Sequence, residues 1–173
     1  MNIAFIIQRY GTEILGGSEY HCRLVAERLA SRHEVEVLTT CARDYISWKN
    51  EYAEGTDRIR GVTVRRFAND RTRNIDAFNE YSDWIFHNKH STSDEDEWLK
   101  QQGPWCPGLI DYLKKKHATY DVLIFFTYLY APTVMGLTVA PKRSILVPTA
   151  HDEPAIQLGI YKDVFRLPAG IAF

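Results

Sequence analysis

Apolar residues fall in blocks along this chain. Ile3 to Ile7 is apolar throughout and gives way to polar Gln8-Arg9. A continuous run of that length suits a strand covered on both faces, as in a parallel sheet. A glycine-bearing loop follows, and then Cys22, Val25, Ala26 and Leu29 recur at helical spacing. They predict a helix over residues 18–32 with one buried stripe. Ser18 suits its N-cap and Glu19 its first turn. Residues 35–40, Val-Glu-Val-Leu-Thr-Thr, predict a second strand. The strand–helix–strand unit so formed, of about 40 residues, implies a parallel crossover.

Residues 62–67 alternate and predict a third strand nearer an edge. Tyr45, Trp48 and Tyr52 fall at i, i+3 and i+7 and predict a short helix. Residues 74–102 are polar, charged and aromatic, and read as helical in pieces. The acidic run Asp94-Glu95-Asp96-Glu97 reads as a solvated helix start. Pro107 suits the first position of a helix reaching Lys116. Residues 121–126 predict a fourth strand, 132–139 a helix and 144–149 a fifth strand. Pro154 opens a last helical stretch through Phe165. Internal repeats, low-complexity tracts and linkers are absent from the sequence. The alternation predicts an α/β, Rossmann-like, doubly wound fold: a mainly parallel sheet with helices on both faces. Ligands of such sheets collect at the carboxyl ends of the strands. Three polar clusters lie there, at residues 8–19, 127–133 and 149–154.

Composition narrows the class. With 173 residues, 45% hydrophobic and 25% charged, the chain suits one globular domain with a core of its own. Lys and Arg number 21 against 22 Asp and Glu, which gives no electrostatic case for a nucleic-acid partner. Cys22, Cys41 and Cys106 show no pairing and no CxxC spacing, so reduced thiols in a cytoplasmic protein are expected. Residues 1–7 lack a basic leader and are too short an apolar run to span a bilayer.

Each polar cluster carries candidate chemistry. In Gly11-Thr12-Glu13-Ile14-Leu15-Gly16-Gly17-Ser18-Glu19, two adjacent glycines at a strand-to-helix turn let backbone approach a ligand, and free helix-start amides favour an anion. The GxGxxG fingerprint fails on spacing. The pattern GxxxxGK[ST] fits Gly11, Gly16 and Ser18, but Gly17 stands where its lysine belongs, which argues against nucleotide hydrolysis. A purely structural turn is the competing reading. In Thr149-Ala150-His151-Asp152-Glu153-Pro154, a His at a strand end can bond a substrate hydroxyl or move a proton. A loop His with capping carboxylates explains the same residues. Tyr128 and Tyr130 can stack on a sugar or base, or simply pack between helices. A metal would need folding to gather His21, Cys22, Cys41, Cys106 and His151.

In chain order these features resemble one family. Gly16-Gly17-Ser18-Glu19 heads a long helix after the first strand. Residues 35–41, the segment Gly61–Phe67 and Tyr120-Asp121-Val122-Leu123 follow, and Val147-Pro148-Thr149-Ala150-His151-Asp152 comes last. The set is similar to the N-terminal domain of a family 4 retaining glycosyltransferase of the GT-B type, over almost the whole chain. The resemblance implies two Rossmann-like domains with the active site between them, and an acceptor held mainly by the N-terminal one. It implies that Gly16, Gly17 and Ser18 approach the donor diphosphate and that His151 is the catalytic-site residue beside the donor sugar. Glu19, Tyr128, Tyr130, Thr149 and Asp152 are the further substrate-binding candidates. The co-substrate would be a nucleotide sugar, with no metal and no other cofactor. The acceptor would be a glycan or a lipid-linked sugar, met by residues 42–56 and 74–106. A lipid-linked acceptor would bring the protein to the inner face of the membrane; Lys114-Lys115-Lys116 is the one basic spot, and a solvated helix end explains it equally. The chain ends at Phe173, before the family's second domain and its Glu-x7-Glu motif, so residues 1–173 are expected to be one half of a longer enzyme. The alternative is a non-catalytic Rossmann-like module that binds a nucleotide or sugar.

Overall fold

The computed structural model describes residues 1–173. Strand β1 (Asn2–Ile6) leads to helix α1 (Gly17–Ala30) and strand β2 (Glu34–Thr40). A hairpin of β3 (Gly55–Ile59) and β4 (Val62–Phe67) follows. Three helices come next: α2 (Ile75–His87), α3 (Thr92–Gln102) and α4 (Pro107–Lys116). Strand β5 (Val122–Phe126), the short helix α5 (Ala131–Gly136), β6 (Ser144–Val147) and β7 (Gly170–Ile171) complete the chain. The strands form one sheet in the order β3-β4-β2-β1-β5-β6-β7. Every neighbouring pair is parallel except β3 with β4. The fold is therefore the α/β, Rossmann-like, doubly wound arrangement, and its order reverses between β1 and β5.

The period-two alternation of strand side chains explains why apolar runs lack polar interruptions. Ile3, Phe5 and Ile7 join Val35, Val37, Val62 and Val64 beneath α1, where Cys22 and Ala26 are buried. Ala4 and Ile6 point to the other face and join Leu38, Leu123, Phe125 and Leu146 under the helices that follow β4. Trp98 of α3 and Leu109, Ile110 and Leu113 of α4 belong to that second core. One helix thus covers one face, and α2 to α5 crowd the other.

Several expectations are corrected. No helix spans residues 45–52. Trp48 there is buried with φ +57°, and its ring N–H donates to the Gln102 carbonyl at 2.7 Å. Strand β3 escaped the pattern because its central residues Thr56, Asp57 and Arg58 are polar and all but Ile59 are exposed, as an edge permits. Gly16, not Ser18, is the N-cap of α1, and it makes no side-chain cap bond. Helix α5 ends at Gly136 and β6 at Val147, each short of the expected bounds. The stretch from Pro154 is helical only as two short 3-10 pieces, Pro154–Gln157 and Gly159–Tyr161, and stops short of Phe165.

The acidic run is only partly solvated. Ser91 and Asp94 form a reciprocal capping box at the start of α3. Glu95, however, is buried and turns inward, accepting the Gly159 N–H at 3.0 Å and the Ile160 N–H at 2.8 Å. Two backbone donors that a helix would have used internally are satisfied from α3 instead. No helix is long and apolar enough to cross a membrane.

Candidate functional site

A cleft of about 440 Å³ opens at the carboxyl ends of β1, β5 and β6. It lies where the strand order reverses, the position at which open α/β sheets take their ligands. Three segments far apart in sequence meet there: Gly16–Glu19, Thr127–Tyr130 and Pro148–Glu153. Gln8, Arg9 and Tyr45 complete the lining.

The floor is a hydrogen-bonded network centred on Glu19. Its carboxylate is buried and accepts from Gln8 Nε2 at 3.0 Å, Arg9 Nε at 2.9 Å, Arg9 Nη2 at 2.6 Å and Ser18 Oγ at 2.9 Å. Gln8 accepts in turn from the Thr127 hydroxyl at 3.0 Å, and its carbonyl accepts from the Thr40 hydroxyl at 2.8 Å. The ends of β1, β2 and β5 and the start of α1 are thereby tied to one carboxylate. A buried charge is tolerated only when paired and fully hydrogen-bonded, and this one is. Arg9 also donates to the Arg43 carbonyl at 2.8 Å and lies over the Tyr45 ring at 5.2 Å.

Gly16 owes its identity to this carboxylate, since a Cβ there would collide with it. Gly17 differs: a Cβ at that position would meet nothing within 4 Å, so its backbone faces open space. The amide of Tyr20 bonds back to Gly16 O at 2.8 Å, while Gly17, Ser18 and Glu19 carry the first-turn donors that a helix leaves unpaired. Ser18 lines the cleft but spends its hydroxyl on Glu19.

The rims of β5 and β6 are strained. Thr127 and Thr149 adopt φ +65° and +45°, a region costly for a β-branched residue. Backbone bonds from Thr127 N to Val147 O at 2.9 Å and from Tyr128 N to Pro148 O at 3.0 Å lock the two strand ends together. Tyr128 lines the cleft yet is buried, with its hydroxyl donating to Glu153 Oε1 at 2.7 Å. Burial, and then that bond, push its phenol well above the usual range. Tyr130 is half-buried, stands edge-on to Trp48 at 5.4 Å between centroids, and has its phenol raised by burial.

Of the expected residues, Gly16, Gly17, Ser18, Glu19, Tyr128, Tyr130, Thr149 and His151 all line this cleft. His151 is exposed. Asp152 is exposed as well and lies outside the lining. Gln8, Arg9, Thr127 and Glu153, which fall within the three expected polar clusters without being singled out as sugar or phosphate contacts, line it too. Their signal is positional: each is a polar residue within a few positions of the end of an apolar strand. Among the aromatics of residues 42–56 and 74–106, Trp48 and Trp98 are fully enclosed, whereas Trp84 and the cleft-lining Tyr45 are exposed. The three cysteines are free and buried. No group of three or more His, Cys, Asp or Glu side chains is gathered as a metal site. No protein family, curated protein or solved structure matches this chain.

Proposed function

We propose that this chain is the acceptor-side half of a retaining, nucleotide-sugar-dependent glycosyltransferase. The observation that carries the reading is the meeting of Gly16–Glu19, Thr127–Tyr130 and Thr149–His151 on one cleft at the sheet's switch point. In this reading a second domain holds most of the nucleotide sugar and closes the cleft. A glycan or lipid-linked sugar is the acceptor, and no metal or other cofactor takes part.

The chemistry asks little covalent work of the protein. The bond between the sugar's anomeric carbon and the diphosphate breaks, the acceptor oxygen bonds that carbon from the same face, and the acceptor proton passes to the leaving phosphate. The open backbone at Gly17 and the first-turn amides of α1 suit the charge that builds on the diphosphate. His151, exposed on the rim, is free to steady sugar hydroxyls as positive charge develops on the ring.

A second reading, a non-catalytic sugar-binding module, draws on one specific feature. Arg9 is the only Lys or Arg in the lining, and Glu19 already holds it. The test is an amide NMR titration of the chain with a nucleoside diphosphate, run beside a transfer assay with nucleotide sugars and glycan acceptors. Weak shifts at Gly17 and Ser18 without turnover are expected. Shifts confined to another surface, or robust transfer by residues 1–173 alone, would overturn the half-enzyme reading.

A further inference from the structure

Glu153 is the one carboxylate of the cleft without a cationic partner. Glu19, the other acidic residue in the lining, is neutralised by Arg9 at 2.6 Å, whereas no Lys, Arg or His pairs with Glu153. Its side chain makes one hydrogen bond to protein, accepting from the Tyr128 hydroxyl at 2.7 Å onto Oε1. That tyrosine is held hard in place. It is 1% exposed, stands edge-on to Tyr161 at 4.9 Å and packs on Phe165 at 5.5 Å. Tyr161 is itself buried and donates to the Leu129 carbonyl at 2.7 Å. The backbone of Glu153 is extended, at φ −138° and ψ 151°, just before the turn that Pro154 begins. Downstream, Glu95 fixes the next turn through the Gly159 and Ile160 amides.

A buried tyrosine therefore holds a half-exposed carboxylate with no cationic partner in the lining of the cleft, and Glu95 anchors the second of the two turns that follow. A purely solvated carboxylate would need none of this support, because water satisfies it at no ordering cost. Side chains whose geometry is set by a supporting shell are the ones that read a ligand with directional precision. Oε1 already accepts from Tyr128, and Oε2 is the oxygen that bonds nothing in the protein.

We propose that Glu153 is a ligand-contacting residue: its Oε2 accepts a hydrogen bond from a hydroxyl of a neutral carbohydrate in the cleft, and Tyr128 positions it. This rests on the reading of the cleft as a sugar site. It goes further in naming the contact and the selectivity, because the same carboxylate repels an acidic sugar. At Glu153 the chemistry favours an uncharged hydroxyl: it donates to the carboxylate in a charge-assisted bond, whereas a carboxylate or phosphate group placed at that residue meets like charge.

The experiment is a titration of the chain against neutral monosaccharides and disaccharides, with glucuronate as the acidic comparator, followed by amide NMR. Glu153→Ala, Glu153→Gln and Tyr128→Phe are measured beside the unaltered protein, and thermal unfolding checks each fold. The unaltered protein is expected to bind a neutral sugar with shifts at residues 149–153. Glu153→Ala should weaken that sugar about tenfold or more, the usual worth of a hydrogen bond to a charged group. Tyr128→Phe should weaken it less while leaving Oε2 present. Glu153→Gln should narrow the preference for neutral over acidic sugar. Equal neutral-sugar affinity in the protein and in folded Glu153→Ala overturns the assignment and leaves the sugar-site reading standing. Absence of sugar shifts in the cleft of the unaltered protein overturns both.

Discussion

A Cβ on residue 16 would stand 2.1 Å from Glu19 Oε2 and 2.8 Å from Glu19 Cδ, so Gly16 and Glu19 are each what the other permits. A glutamate would ordinarily swing aside for a methyl group. This one is held by Gln8, Arg9 and Ser18. The backbone at Gly16, φ −61° and ψ 141°, is open to any residue, so the contact alone sets the penalty.

Gly16→Ala should therefore cost about 1–3 kcal/mol of stability, the usual range for overpacking. Gly17→Ala should be neutral or gain up to about 1 kcal/mol, because the site is open and alanine suits a helix. Urea denaturation of both variants checks this. In a Glu19→Ala background the Gly16→Ala penalty should largely vanish, and an unchanged penalty there would assign it to something other than the carboxylate.

Arg9→Met should destabilise by about 3 kcal/mol, because it leaves the Glu19 charge buried with only neutral donors. Arg9 and Glu19 side chains are 12% and 5% exposed, so solvent screening offers little relief. A double-mutant cycle with Glu19→Gln measures the coupling. Additive losses would mean the two act independently.

Arg73→Lys should loosen the loop before β3 even though charge is kept. Arg73 Nε donates to the Ile46 carbonyl at 2.8 Å and Nη1 to Gln102 Oε1 at 2.6 Å, while Nη2 bonds the Tyr45 carbonyl. Its guanidinium also lies 5.2 Å from the Trp48 ring and 5.0 Å from that of Phe78. A single ammonium cannot reproduce that fork, and a loss of about 1–3 kcal/mol is expected. Hydrogen exchange should quicken at residues 45–48, and unaltered protection there would refute the staple.

The contact between His90 and Glu95 should make stability depend on pH. The pKa of His90 lies above its usual 6.5, first through the bond of Nδ1 to the Asn88 carbonyl and then through Glu95, with Asp94 adding to it. A raised folded value means the protonated ring stabilises the fold. That contribution is complete below the usual value and is lost as pH rises through the raised one. Melting temperature should fall across that interval in the protein and fall less in His90→Gln. Parallel profiles would rule the contact out.

His151→Ala should leave stability within about 0.5 kcal/mol, as for other exposed positions. If the proposed reading holds, it should also weaken sugar binding or transfer in the cleft. A stable variant with unchanged binding and transfer would remove His151 from the site.

The core strands were legible in the sequence because burial on both faces leaves an unbroken apolar run, as at Ile3–Ile7. Pro107 announced α4 for the equally local reason that its fixed φ suits a helix start. What escaped was set by tertiary partners. Tyr45, Trp48 and Tyr52 share a helical spacing, yet Tyr45 meets Arg9, Trp48 is buried against Arg73, and Tyr52 lies under Arg66 at 4.2 Å. Glu95 reads as solvated until the amides of residues 159 and 160 arrive from far along the chain. In the cleft, glycines and a strand-end histidine are visible as motifs. The role of Glu19 is not, because its four donors come from both sides of a loop.

The polar hairpin at the sheet's margin bears on how the protein behaves at high concentration. Strand β4 hides Val62 and Val64 and would offer a row of unpaired amides if it lay outermost. Strand β3 covers that row in the antiparallel sense and presents Thr56, Asp57 and Arg58 to water. It acts as a guard rail: a neighbouring copy approaching from this side meets charge and a run of only five residues. Colloidal stability at this margin is thus carried by a segment remote from the cleft, and the two can be altered separately.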